Sequence, residues 1–66
     1  MLQSVLFNKS IWKLTDAINY LRNHNLKYIK VDETANFYRF RQKPVNKQKK
    51  YFTRKLQNGI ELVIMY

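Results

Sequence analysis

The apolar residues of this chain change their spacing once, near Asn25, and that change constrains the fold more than any other feature. Before it, they recur at the three-and-four spacing of a helix with one buried face: Leu14, Ala17, Ile18 and Leu21. Beyond it, they alternate with polar residues, as in strands with two different faces. We therefore predict a helix over residues 11–24, capped at its start by Asn8 or Ser10 and closed by a left-handed Asn25.

Strand patterns account for most of the remaining chain. We predict strands over residues 2–7, 26–31, 37–42, 50–56 and 60–66, with a polar turn over residues 32–36. Asn58-Gly59 predicts a type I′ hairpin turn, because both residues tolerate positive φ. The order β-α-β-β-β-β predicts an α+β fold in which one helix packs on an antiparallel sheet. With 66 residues, the chain forms a single small two-layer domain, residues 1–66.

Composition limits how such a small domain can be stabilised. A chain of this size buries only about 60% of the surface that its unfolded form exposes, so its core is small. Cysteine is absent, which excludes disulfides and thiolate metal sites. No apolar stretch approaches the roughly 20 residues that span a bilayer, and residues 1–10 lack the pattern of a secretory signal. We therefore expect an intracellular protein that does not bind a membrane.

Positive charge is concentrated in one stretch of the sequence. The net charge is +9, yet residues 39–55 contain eight of the 13 lysines and arginines and none of the four acids. The eight are Arg39, Arg41, Lys43, Lys47, Lys49, Lys50, Arg54 and Lys55. Aromatic residues lie beside and among them: Tyr38, Phe40, Tyr51 and Phe52. This combination is typical of proteins that contact the phosphates and stack on the bases of nucleic acid, although an acidic protein or an anionic membrane surface would also be attracted.

Alternation within residues 37–42 divides that strand into two faces. Phe37, Arg39 and Arg41 share one face. If the other face is core, the two arginines point outward and can grip phosphates; alternatively, they pair with acids across the sheet, namely Asp32, Glu33 or Glu61. The predicted nucleic-acid-binding residues are these three and the remaining cations, with Phe37 or Tyr51 stacking on bases: Phe37, Arg39, Arg41, Lys43, Lys47, Lys49, Lys50, Tyr51, Arg54 and Lys55. Contacts of this kind position a nucleic acid without specifying its sequence.

Groups that could perform catalysis or hold a metal are few and scattered. His24 has no nucleophile and base arrangement near it, and it is the one histidine of the chain. Asp32 and Glu33 are neighbours in a predicted turn, while Asp16 and Glu61 lie elsewhere in the sequence. Acid–base or metal chemistry needs carboxylates that converge. We therefore expect no enzyme activity, no cofactor and no metal.

Residues 60–66 are apolar on both faces of the predicted final strand. Ile60, Leu62, Ile64 and Tyr66 lie on one face, and Val63 and Met65 lie on the other. A strand covered on one side should instead alternate with polar residues. Either this strand is central and covered on both sides, or its second face or its edge meets another copy of the chain. The sequence thus leaves open a homo-oligomer that forms through residues 60–66.

A set of short motifs is shared with a viral domain. They are Trp12, Ala17, Tyr20-Leu21, His24-Asn25, Lys30-Val31-Asp32-Glu33-Thr34, Tyr38-Arg39-Phe40-Arg41-Gln42 and Asn58-Gly59-Ile60. With these, residues 7–64 resemble a small domain of tailed-phage and large-DNA-virus proteins, including segments near phage prohead-protease and head-morphogenesis proteins. Asn25 replaces the usual glycine, which changes the cap without changing the fold. The resemblance implies a viral origin, in the host cytoplasm or the virion, and a folded module without a defined activity.

Two functions are compatible with these observations. The first is a small basic viral module that binds nucleic acid, mostly through phosphate contacts and aromatic stacking. The second is a viral protein–protein interaction module, either a virion component or an inhibitor of a host factor, in which the basic patch meets an acidic partner.

Overall fold

Five antiparallel strands form one sheet, and a single helix packs against one face of it. The computed structural model describes all residues, 1–66. Its elements are β1 (Leu2–Asn8), α1 (Leu14–Asn23), β2 (Lys30–Glu33), β3 (Phe37–Arg41), β4 (Tyr51–Lys55) and β5 (Ile60–Met65). The strands lie in the order β2-β3-β1-β5-β4, and every neighbouring pair is antiparallel. The predicted α+β fold, with one helix on an antiparallel sheet, is confirmed.

The core lies between α1 and the central strands. Alternate residues of β1, β3 and β5 meet the helix there, and the fully buried cluster consists of Val5, Phe7, Ala17, Leu21, Phe40 and Ile60. Phe7 is at its centre, with the rings of Trp12, Tyr20 and Phe40 at 5.0, 5.6 and 5.4 Å, each edge to face. Pairs of this geometry stabilise beyond the apolar area they bury. We call this face of the sheet the helix side and the opposite face the helix-free side.

The predicted helix stripe is confirmed in its centre and wrong at its start. Ala17 and Leu21 are buried, and Ile18 packs against the core, but Leu14 is 38% exposed. Leu14 is the first residue of α1, and Trp12 from the preceding turn occupies the place beside Phe7 instead.

Both ends of α1 show how local hydrogen bonds set its length. The cap predicted for the start of the helix, Asn8 or Ser10, is wrong, because both residues lie in a turn before the helix. The carbonyl of Asn8 accepts from the N–H groups of Ile11 and Trp12, and its side chain accepts from Ser10. At the other end Asn25 has φ 56°, as predicted. The N–H of Leu26 donates to the carbonyl of Leu21, and that of Asn25 to Arg22, which is a Schellman closure.

The second strand is displaced from its predicted position. It was expected over residues 26–31 with a turn over residues 32–36, but β2 includes Asp32 and Glu33, which pair with Arg39 and Tyr38 of β3. Hairpin pairing with β3 thus overrides the turn propensity of the acids. The turn begins at Thr34, whose hydroxyl accepts from the N–H of Phe37.

The β4–β5 hairpin uses a different turn from the one predicted. Gly59 has φ 72°, but Asn58 does not have positive φ, so the turn is not type I′. The N–H of Leu56 donates to the carbonyl of Ile60 at 2.8 Å, which closes a three-residue loop with glycine in the left-handed position. Trp12 fixes this loop by donating its indole N–H to the carbonyl of Asn58 at 2.7 Å.

The final strand is an interior strand of the sheet. β5 lies between β1 and β4, so both of its edges are paired, and the free edges of the sheet belong to β2 and β4. Ile60 and Met65 are buried, while the four residues between them are half-buried. Only a face of β5 is therefore free to meet a second copy of the chain. α1, which is ten residues long, falls well short of the length and apolarity that a bilayer-spanning helix needs.

Candidate nucleic-acid interface

The connection between β3 and β4 runs along one end of the sheet. β3 and β5 finish at this end, and β1, β2 and β4 start there, because neighbouring strands are antiparallel. We call residues 42–50 the lysine segment. This segment must pass β1 and β5 to reach β4 at the other edge of the sheet. The N–H groups of Gln42 and Lys43 donate to the carbonyl of Gln3 at 2.6 and 3.3 Å as the chain passes β1. The lysine segment is thereby attached to the first strand.

Further hydrogen bonds hold the middle and the end of the lysine segment. The Tyr51 hydroxyl donates to the carbonyl of Asn46 at 2.9 Å and accepts from its N–H at 2.7 Å. The Asn46 side chain accepts from the N–H of Gln48. Lys50 and Tyr66 exchange two backbone hydrogen bonds of 2.9 Å. The backbone is thus anchored at three places while every lysine of the segment is exposed: Lys43, Lys47, Lys49 and Lys50.

None of these four lysines has an acidic partner. The three side-chain ion pairs of the structure are Lys9–Glu33, Lys30–Asp32 and Arg41–Asp32. The other acids lie toward the opposite end of the sheet, because Asp16 is in the first turn of α1 and Glu61 is the second residue of β5. Folding therefore increases the charge asymmetry that the sequence already shows and leaves an unneutralised positive surface at the end occupied by the lysine segment.

The two arginines of β3 are engaged within the protein. Arg41 donates to the carboxylate of Asp32 at 3.1 Å, and both side chains are less than 30% exposed. Arg39 donates to the Ser4 hydroxyl and to the Gln3 side-chain oxygen, each at 3.3 Å. Both arginines do face the helix-free side with Phe37, as alternation predicted. For Arg41 the structure shows the alternative that we described, a cross-strand ion pair with Asp32.

Sequence analysis missed Gln3 and Ser4 as partners of Arg39. Both are fully buried, and the Ser4 hydroxyl donates to the Gln3 side chain, whose amide donates to the carbonyl of Lys43 at 3.0 Å. Their signal was present as two polar residues inside an otherwise apolar first strand. The hydrogen bonds of Gln3 and Ser4 therefore connect β1, β3 and the lysine segment.

The two aromatic residues predicted to stack on bases lie in different places. Phe37 is half-buried at the start of β3, opposite Asn8, whereas the lysine segment begins after the end of that strand. Gln42, the first residue of that segment, follows Phe37 by five positions, which is about 16 Å along an extended strand. Tyr51 lies beside the lysine segment, but its hydroxyl is bound to Asn46. The structure therefore brings Tyr51, and not Phe37, close to the lysine segment.

β4 divides the remaining predicted cations between the two sides of the sheet. Arg54 pairs with Leu62 on the helix side, and Lys55 pairs with Glu61 on the helix-free side. All five residues of β4 are exposed. The exposed rings of Phe52 and Tyr66, which were not among the predicted site residues, also lie here, next to Lys50. Alternation predicted which of these residues share a face but did not show which face the helix leaves open.

A second cationic feature lies at the end of α1. A shallow concavity of about 480 Å³ is lined by Ile18, Arg22, Asn25, Leu26, Lys27 and Tyr28. No group of three or more histidine, aspartate and glutamate side chains converges anywhere in the structure.

Comparisons with known proteins identified no relative of this chain. Neither a family model, nor a curated protein, nor a solved structure matches the chain. The resemblance to a viral domain stays a prediction.

Proposed function

We propose that the protein is a small nucleic-acid-binding module that contacts phosphates mainly with the lysine segment. The observation that supports this most strongly is the state of its four lysines, which are exposed, lack acidic partners and project from an anchored backbone. A polyanion that binds here releases condensed counterions without breaking any internal ion pair of these lysines. Aromatic rings beside the lysines add stacking on unpaired bases.

The proposal concerns binding without base-specific recognition and without catalysis. Lysine side chains contact phosphates as point charges and carry no sequence information. A viral setting, in the host cytoplasm or in the virion, is part of the proposal and rests on the resemblance described above.

The experiment compares two single substitutions that remove the same charge. Lys49→Gln changes the lysine segment, and Lys13→Gln changes another exposed, unpaired lysine just before α1, toward the opposite end of the sheet. Binding of a short labelled single strand and of a duplex is measured by fluorescence anisotropy after nuclease treatment and a high-salt wash. We expect Lys49→Gln to weaken binding to all sequences alike, and Lys13→Gln to leave it close to the wild type.

Two results would contradict this proposal. One is a nuclease-treated wild type that binds neither a single strand nor a duplex, and the other is equal binding by the two variants. If the wild type instead captures one acidic protein from a lysate, and Lys49→Gln abolishes that capture, the protein–protein module replaces the nucleic-acid-binding module.

A further inference from the structure

One row of residues on β4 faces the helix side of the sheet. Phe52 pairs with Ile64 and Arg54 pairs with Leu62, which packs against the core under the helix. Lys50 precedes them by two residues and forms a hydrogen-bonded pair with Tyr66. Because side chains alternate along a strand, these residues share one face.

The helix does not cover this part of the helix side. The residues buried against α1 come from β1, β3 and β5, and none comes from β4. Phe52 is 49% exposed and Tyr66 is 62% exposed. Their ring centroids are 5.6 Å apart with an interplanar angle of 61°, so each ring orients the other. Two aromatic rings are therefore in contact with each other and remain largely open to solvent.

Positive charges flank these rings. Lys50 and Arg54 lie on either side of Phe52 along the strand, each about 7 Å away at the spacing of same-face residues. Neither forms an ion pair, and Glu61, the nearest acid in the pairing register, lies on the helix-free side opposite Lys55. We call the surface formed by Lys50, Phe52, Arg54 and Tyr66 the β4 platform. Its two charged side chains, those of Lys50 and Arg54, are both positive.

The composition of the β4 platform favours a single strand over other occupants. A duplex keeps its bases stacked on one another, whereas a single strand can offer base faces to aromatic rings and phosphates to the cations between them. A second copy is disfavoured, because a two-fold contact places the same patch against itself and so sets Lys50 and Arg54 against like charges.

We propose that the β4 platform binds single-stranded nucleic acid, with bases stacking on Phe52 and Tyr66 and phosphates contacting Lys50 and Arg54. This inference rests on the proposed function. It adds that the protein prefers single strands and that bases bind at the β4 platform.

The test replaces the ring of Phe52 while keeping an apolar side chain. Phe52→Leu removes the stacking face, Phe52→Trp retains it, and Tyr28→Leu serves as a control at another partly exposed aromatic residue. Affinities for a labelled oligothymidylate and for a duplex are measured by anisotropy, and folding of each variant is checked by thermal denaturation. We expect Phe52→Leu to bind the single strand about 5-fold to 150-fold more weakly, with duplex binding unchanged. Phe52→Trp and Tyr28→Leu should bind the single strand like the wild type.

A spectroscopic measurement provides a second, independent test. In Phe52→Trp, the new indole should be quenched when oligothymidylate is added, beyond any change of Trp12 in the wild type, whose indole is bound at the β4–β5 loop. Unquenched fluorescence at saturating oligothymidylate would overturn the inference.

The outcomes separate this inference from the proposed function. If the wild type binds no nucleic acid, both fail. If it binds, and Phe52→Leu retains the full single-strand affinity, only the β4 platform is refuted. If Phe52→Leu converts a dimer to a monomer in sedimentation velocity without loss of single-strand affinity, the platform is an interface between copies and the inference is overturned.

Discussion

Removal of the Arg39 side chain should reduce the stability of the fold, in contrast to the loss of an exposed cation. Arg39 is half-buried and donates two hydrogen bonds of 3.3 Å to the fully buried Ser4 and Gln3. Each bond contributes on the order of 1 kcal/mol, and the buried acceptors lose a charged donor, so Arg39→Ala should cost about 2 kcal/mol. A chain of this size has a total stability of about 3–10 kcal/mol, so the loss is a large part of it.

Thermal denaturation followed by circular dichroism measures this cost. For a domain of this size, about 2 kcal/mol corresponds to a fall in Tm of about 8–16 °C. Lys49→Ala is the matched control, because it also removes one charge but interrupts no side-chain hydrogen bond, and its effect should stay within about 0.5 kcal/mol. A double-mutant cycle with Ser4→Ala should give a coupling energy of about 1 kcal/mol. The reasoning is refuted if Arg39→Ala melts together with Lys49→Ala.

Three further substitutions test the core, the hairpin and the exposed sheet face. Leu21→Ala should lower the free energy of unfolding by about 2–5 kcal/mol in urea titrations, and an unshifted midpoint would show that the helix face is not core. Gly59→Ala should cost about 1–2 kcal/mol, because its φ is 72° and a Cβ disfavours that left-handed conformation; equal stability would contradict this turn. Val63→Lys should shift any self-association toward monomer in sedimentation velocity; a monomeric wild type at high concentration would refute an oligomer through β5.

The features that sequence predicted correctly depend on neighbours along the chain. The spacing of Ala17 and Leu21 shows one helix face, and the left-handed tendency of Asn25 closes the helix without help from the rest of the fold. The α+β class follows from the same local patterns. Alternation also placed Arg39 and Arg41 on one face of β3.

The features that the sequence did not show depend on pairing and packing between elements. Asp32 and Glu33 have turn propensity, yet they extend β2, because their backbone pairs with β3 and their carboxylates bind Arg41 of β3 and Lys9, which directly follows β1. The lysine segment passes β1 and β5, and no local pattern specifies the strand order that puts these two strands beside it. Likewise, the exposure of Phe52 follows from a helix that covers only the central strands. The sequence therefore identified the exposed lysines, but it did not show which aromatic rings lie exposed near them.

The salt dependence of single-strand and duplex binding tests the lysine segment most directly. If its four lysines and Arg54 contact phosphates, four or five contacts should give a slope of log Kobs against log salt of about −3 to −4.5. Lys49→Gln should reduce the magnitude of that slope by about 0.7–0.9, one contact, and Lys13→Gln should leave it unchanged. A wild-type slope near zero, or identical slopes for Lys49→Gln and the wild type, would contradict phosphate binding by the lysine segment.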